Sequence, residues 1–203
     1  MKSKIKVVSP GNAISAPLNN NKKISKKITT KKTWKNLDVD RNVKIELNSI
    51  NYVKPKPGIQ HAINEEKISS SAGYKILFAG SVKGKKLAAK LIGKQNSLDV
   101  HRINLANVVS KYIGETEKNI EKLFKTATEK NWILFFDEAD ALFGKRTHVQ
   151  DAHDKYANQD ISYLIRQINN YPGLIIFSSK NNTDSDTNYP VHLDKVIYFK
   201  KPV

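Results

Sequence analysis

Residues 74–86 read YKILFAGSVKGKK. An apolar run ends in a short basic turn, and a helical pattern starts near Lys86. A strand followed by a glycine-lysine turn and a helix is the place where a phosphate loop sits in an α/β fold. The helix supplies free amides and a positive dipole end to an anion there. The consensus spacing is G-x-x-x-x-G-K-[ST]. Gly84 and Lys85 match it, Ala79 stands in place of the first glycine, and Lys86 in place of the hydroxyl. Taken alone, this match is poor, and a solvated basic turn describes the stretch better.

Four more apolar runs follow: VHRINLA (100–106), WILFFD (132–137), LIIFSS (174–179) and KVIYF (195–199). Between them Ile120, Leu123, Phe124 and Ala127 recur at helical spacing, as do Ile161, Leu164, Ile165 and Ile168. Continuously apolar strands alternating with helices predict a parallel sheet covered on both faces, an α/β three-layer sandwich with five strands. Val43, Leu47 and Ile50 predict a short amphipathic helix before the connector KPKPGIQ. The reading divides the chain into a basic tail (1–32), an opening helix with connector (33–73) and the α/β core (74–203), with no internal repeat.

The net charge is +16, and residues 1–32 hold nine lysines, no arginine and no acid, leaving +7 for the rest. A polar, lysine-rich segment with scattered apolar residues cannot offset its ordering entropy, so the reading for 1–32 is disorder. Such an arm is open to nucleic acid or to an acidic protein face. There is no aromatic residue before Trp34 to stack on bases, so a merely solvated tail accounts for it as well. Cysteine is absent, which excludes disulfides and thiolate metal sites and fits a cytoplasmic location. No apolar run reaches the roughly 18 residues a membrane span needs, and the five histidines show no ligand-like spacing.

The segment ILFFDEADALFGKR (133–146) carries the strongest chemical signal. Asp137 and Glu138 follow directly on an apolar strand. A carboxylate there holds a nucleotide's metal through water, and its neighbour orients or deprotonates the attacking water. With VVSKYIGETEKNIEKLF (108–124) before it and DAHDKYANQDISYLIRQINNYPGLIIFSS (151–179) after it, the chain resembles the AAA+ ATPase core, a P-loop NTPase. The similarity is strongest to AAA proteins encoded with bacterial contractile, phage-tail-like injection systems.

The resemblance implies ATP binding by Gly80, Ser81, Val82, Lys83, Gly84, Lys85, Lys86 and Leu87. It implies catalysis by Asp137 and Glu138, with Asp137 on the metal side. It further implies a sensor position at Lys180 and Asn181, a pore loop at Tyr112 and Ile113, and a homo- or hetero-oligomeric ring that handles a protein substrate or an injection-system component. It also marks departures. Val82 stands where the family has a glycine, which predicts a strained or reshaped loop. Lys86 removes a hydroxyl ligand of magnesium, so magnesium is left an open question. An ammonium 4 Å from a divalent ion is disfavoured by roughly 8 kcal/mol at an effective dielectric of 20, before the polyphosphate offsets it. The family's paired arginine fingers align with Val191 and His192, and the chain is expected to lack the helical lid that follows the family's core. Two function classes follow: a competent remodelling ATPase, or an ATP-binding module with weak or lost hydrolysis. A scaffold that associates with nucleic acid through the tail is the third.

Overall fold

The five apolar runs are five strands of one sheet. The computed structural model describes residues 24–52, 61–63, 66–68, 73–105, 115–143, 152–180 and 189–202. In chain order the elements are β1 (Ser25–Ile28), α1 (Arg41–Asn48), β2 (His61–Ile63), β3 (Glu66–Ile68), β4 (Lys75–Ala79), α2 (Lys85–Gln95) and β5 (Val100–Ile103). They continue with α3 (Glu115–Lys130), β6 (Ile133–Phe136), α4 (Asp140–Phe143), α5 (Ala152–Asn170), β7 (Ile175–Ser178) and β8 (Lys195–Tyr198). The sheet order is β1-β5-β6-β7-β4-β8, with β2 and β3 forming a separate antiparallel pair.

Strands β5, β6, β7, β4 and β8 run parallel. Their side chains alternate between two cores. Ile76, Phe78, Ile133, Phe135 and Ile176 face one, with Val43 and Leu47 of α1 and Ala88, Leu91 and Ile92 of α2. Leu77, Leu134, Phe136, Ile175 and Phe177 face the other, with Ile120, Phe124 and Ala127 of α3 and Leu164 and Ile168 of α5. This is the three-layer sandwich that the alternation of runs predicts.

The sixth strand is a correction. β1 pairs antiparallel with β5, Ser25 opposite Ile103 and Ile28 opposite Val100, so the segment read as disordered to residue 32 has its last part in the sheet. Ile28 is buried in one core, Ile24 packs against the other, and Lys27 Nζ lies 2.7 Å from an Asp99 carboxylate oxygen. Two apolar anchors and a backbone ladder suffice to add an edge strand, and the surrounding lysines hide that signal in composition. Residues 1–23 lie outside the described residues.

Local chemistry sets the helix ends. Asp40 caps α1, its Oδ1 accepting from the Asn42 amide at 2.8 Å. Helix α2 stops at Asn96, whose Nδ2 donates to the carbonyl oxygens of Ile92 (2.8 Å) and Ile50 (3.0 Å) and so ties α2 to the end of α1. Close to that end, α2 lies so near β5 that a Cβ at Gly93 would overlap the Val100 side chain. Gly93→Ala is therefore expected to destabilise the domain by about 2 kcal/mol, read as a lower urea midpoint at unchanged slope.

Candidate functional site

The turn after β4 brings basic groups to one helix end. Gly80 (φ 105°) and Gly84 (φ 117°) take the left-handed backbone that lets the chain leave the strand and enter α2. Gly84 is the N-cap, and its carbonyl accepts the first helical bond, from the Ala88 amide at 2.8 Å. Val82 is not among the residues with positive φ; its side chain packs on the first core. The strain expected from a β-branched residue here is thus absent, because the two glycines carry the unusual dihedrals. The loop is instead reshaped around an apolar contact.

Lys85 points inward and is buried, while Ser81, Lys83 and Lys86 are exposed and Leu87 packs on the core. The Lys85 ammonium donates to the carbonyl oxygens of Gly80 and, at 3.2 Å, of Val82. It also lies 5.8 Å from the Phe199 ring centroid. Burial pushes its pKa below the ordinary lysine value; the charges of Asp140 and Asp137 oppose that shift and Lys180 adds to it. Three lysines, at 83, 85 and 86, therefore stand at a helix N-terminus whose first turn holds no acid. Cations at the positive end of the dipole are unfavourable on their own, and an anion reverses the balance.

The acids lie across from this loop, at the end of β6. Asp137 Oδ2 accepts from Arg102 Nε at 2.9 Å, from the neighbouring strand β5. Glu138 has φ 58°, a left-handed backbone that costs a non-glycine residue about 1 kcal/mol or more. The turn is held by its links to the end of β7. The Ala139 amide donates to the Ser178 carbonyl at 2.8 Å. Asp140 accepts from Ser179 Oγ at 2.6 Å and from the Lys180 amide at 3.2 Å. The exposed Lys180 ammonium lies 3.6 Å from Glu138 Oε1.

The loop 80–87, Asp137, Glu138 and Lys180 thus converge at the C-terminal edge of the parallel strands, where open α/β sheets bind their ligands. Two residues that bond to this group, Arg102 and Asp140, were not singled out by sequence reasoning. Arg102 had a signal, a charged residue inside an otherwise apolar strand; Asp140 had one too, as the third acid of DEAD. Tyr112, Ile113 and Asn181 lie outside the described residues. Val191, aligned with one arginine finger, is buried in the second core, and His192 is exposed, its Nε2 3.7 Å from Asp194 Oδ1.

The groups present fit a phosphate: two glycines, a helix N-terminus and a buried lysine. They fit a directly ligated metal poorly. Position 86 offers no oxygen, Asp137 is engaged by a guanidinium, and the described residues hold no cluster of three metal-ligating side chains.

The buried ionisable groups also set a pH profile. Lys85 and Lys75 are lowered by burial, so the unfolded chain binds more protons and stability grows as pH rises toward about 10. Tyr52 and Tyr171 are raised by burial, so above about pH 10 the unfolded chain loses protons first and stability falls. The thermal midpoint is expected to climb from neutral pH, turn over near pH 10, and climb less steeply in Lys85→Met.

Residues 76–200 match the family described as "ATPase family associated with various cellular activities (AAA)". The chain is 31% identical over 131 residues to an AAA family ATPase, y4kL, of Sinorhizobium fredii, covering 63% of this chain and 39% of that protein. It is 28% identical over 176 residues to the ribosome biogenesis ATPase RIX7 of Saccharomyces cerevisiae, covering 84% of this chain and 20% of that one. The chain thus spans well under half the length of these relatives. Its fold is similar to the FIGL-1 AAA domain solved in complex with ADP, at TM-score 0.62 and 18% identity over 90% of this chain and 60% of that one. Among the described residues no helix is long and apolar enough to cross a membrane.

Proposed function

The chain belongs to the AAA family of ATPases, and we propose that it is an ATP-binding domain with weak or lost hydrolysis, acting in the assembly or remodelling of a protein complex. One observation carries the reading. Each acid at the end of β6 already holds a basic side chain of the same chain, Arg102 on Asp137 and Lys180 against Glu138.

In the binding step, the loop amides, Lys85 and the helix end would hold the phosphates, with Lys83 and Lys86 adding charge from the solvent side. ATP's phosphates would draw the Lys85 ammonium away from the Gly80 and Val82 carbonyls. A magnesium ion would supply neutralisation of phosphate charge, but position 86 offers no oxygen to hold it, so Lys83, Lys85 and Lys86 would take over part of that role. Glu138 would orient a water once free of Lys180, but Val191 is core and His192 cannot supply a fixed guanidinium to a neighbouring subunit. Loss of such a group costs 10³–10⁵ in rate in related phosphoryl transfers.

Remodelling is supported by relatives such as RIX7 and a vesicle-fusing ATPase of Caenorhabditis elegans. A ring with a partner that lends an arginine is the assembly this site calls for. The injection-system association rests on the sequence resemblance across residues 108–179, and the gene neighbourhood tests it. Titration calorimetry with ATP, with and without magnesium, tests the main reading. Binding that survives chelation, with negligible turnover, is the expected result; tight, strictly magnesium-dependent binding with steady hydrolysis overturns it.

A further inference from the structure

Arg102 occupies a particular place in β5. Its neighbours Val100, His101 and Ile103 are buried, whereas Arg102 is partly exposed. The parallel register sets it opposite Phe135, two residues before Asp137. Its side chain reaches the C-terminal edge of the sheet, where Nε meets Asp137 Oδ2 at 2.9 Å with the two side chains 36% and 21% exposed. A guanidinium stays charged at every relevant pH and holds its donors in a fixed plane. A metal ion on Asp137 would therefore have to sit beside a permanent positive charge or displace it.

We propose that Arg102 is the resident cation of this site: a positioning residue that neutralises and orients Asp137 and excludes a divalent ion from it, so that a nucleoside di- or triphosphate is captured without metal. The inference builds on the nucleotide reading above and extends it. Charge supports it. Arg102, Lys85 and Lys180 already match Asp137, Glu138 and Asp140 in charge, and the exposed Lys83 and Lys86 on the turn after β4 add two further positive charges before any ion arrives. Polyphosphate supplies the balancing charge, and a further divalent cation is not required for it.

Two arms test this on the full chain. In the first, binding of Mn²⁺ alone is followed by the loss of its free-ion electron paramagnetic signal. Wild type and Asp137→Asn should be indistinguishable. Arg102→Gln should bind Mn²⁺ at least about tenfold more tightly, a gain absent from the Arg102→Gln/Asp137→Asn double variant, while Arg102→Lys stays close to wild type. Wild-type Mn²⁺ binding that Asp137→Asn abolishes overturns the proposal, even if Arg102→Gln does not fold. So does a folded Arg102→Gln with no gain. In the second arm, ATP is titrated in chelator or in Mg²⁺. Arg102→Gln should lose about five- to tenfold in chelator and recover it in Mg²⁺. Equal affinities of the two proteins in chelator overturn the role of Arg102. A wild type that binds no ATP in either condition overturns the nucleotide reading instead, and the Mn²⁺ arm still decides whether Arg102 shields Asp137.

Discussion

Lys85→Met is expected to weaken ATP binding by at least about 100-fold, with little change in stability. The affinity loss follows from removing a buried ammonium whose charged hydrogen bonds to phosphate are each worth about 1.5–3 kcal/mol. The near-neutral stability is the less obvious half. Burial already works against the Lys85 charge, so methionine removes a desolvation penalty. It also leaves the Gly80 and Val82 carbonyls without the donor they now have. The two effects oppose each other, and the net change should stay within about 1 kcal/mol. A fluorescent-nucleotide titration with a urea melt on the same sample reads both. An affinity equal to wild type would mean that the turn after β4 does not hold phosphate.

Lys86→Thr should act in the opposite direction. It restores an oxygen at the first turn of α2 and removes one positive charge from the place where a divalent ion would approach. The gross repulsion relieved is several kcal/mol at 4 Å, but Lys86 is exposed and solvent screens most of it. A gain of about tenfold in ATP affinity on adding Mg²⁺ is the expected size, against little or none in wild type. Hydrolysis should rise only slightly with it, since Glu138 is present in both proteins but Arg102 still holds Asp137 and neither Val191 nor His192 supplies a guanidinium. Phosphate release over hours, with Lys86→Thr/Glu138→Gln as the blank, separates the outcomes. Wild-type turnover already as fast as that of Lys86→Thr would remove the case for a weakened enzyme.

The parallel strands were legible because three of them, Lys75–Ala79, Ile133–Phe136 and Ile175–Ser178, are four- or five-residue runs buried on both faces, and the flanking β5 and β8 keep enough apolar residues to continue the pattern. Helices α3 and α5 were legible through their repeating apolar positions. β1 was not, since an edge strand pairs through its backbone and needs only Ile24 and Ile28 as anchors. The position of the glycine-lysine turn could be read from its strand and helix, but not the direction in which Lys85 points, nor that Val82 would lie on the core rather than under strain. The partners of the acids were the least legible. Arg102 meets Asp137 only through the register of β5 against β6, and Asp140 meets Ser179 only where β7 ends beside the turn. Pairings of that kind are tertiary, and no local pattern encodes them.

The antiparallel ladder at the sheet edge has a consequence for motion. β1 joins a strand far downstream, so closing that contact costs chain entropy that only four residue pairs repay. Its amides should therefore exchange with solvent through a local opening well below the global unfolding free energy, faster than those of β6 and β7. The residue opposite Lys26 in that ladder is Arg102. A partner that peeled β1 from the sheet would therefore remove the backbone neighbour of the residue that holds the Asp137 carboxylate, so an opening at this edge would reach the C-terminal end of the parallel strands.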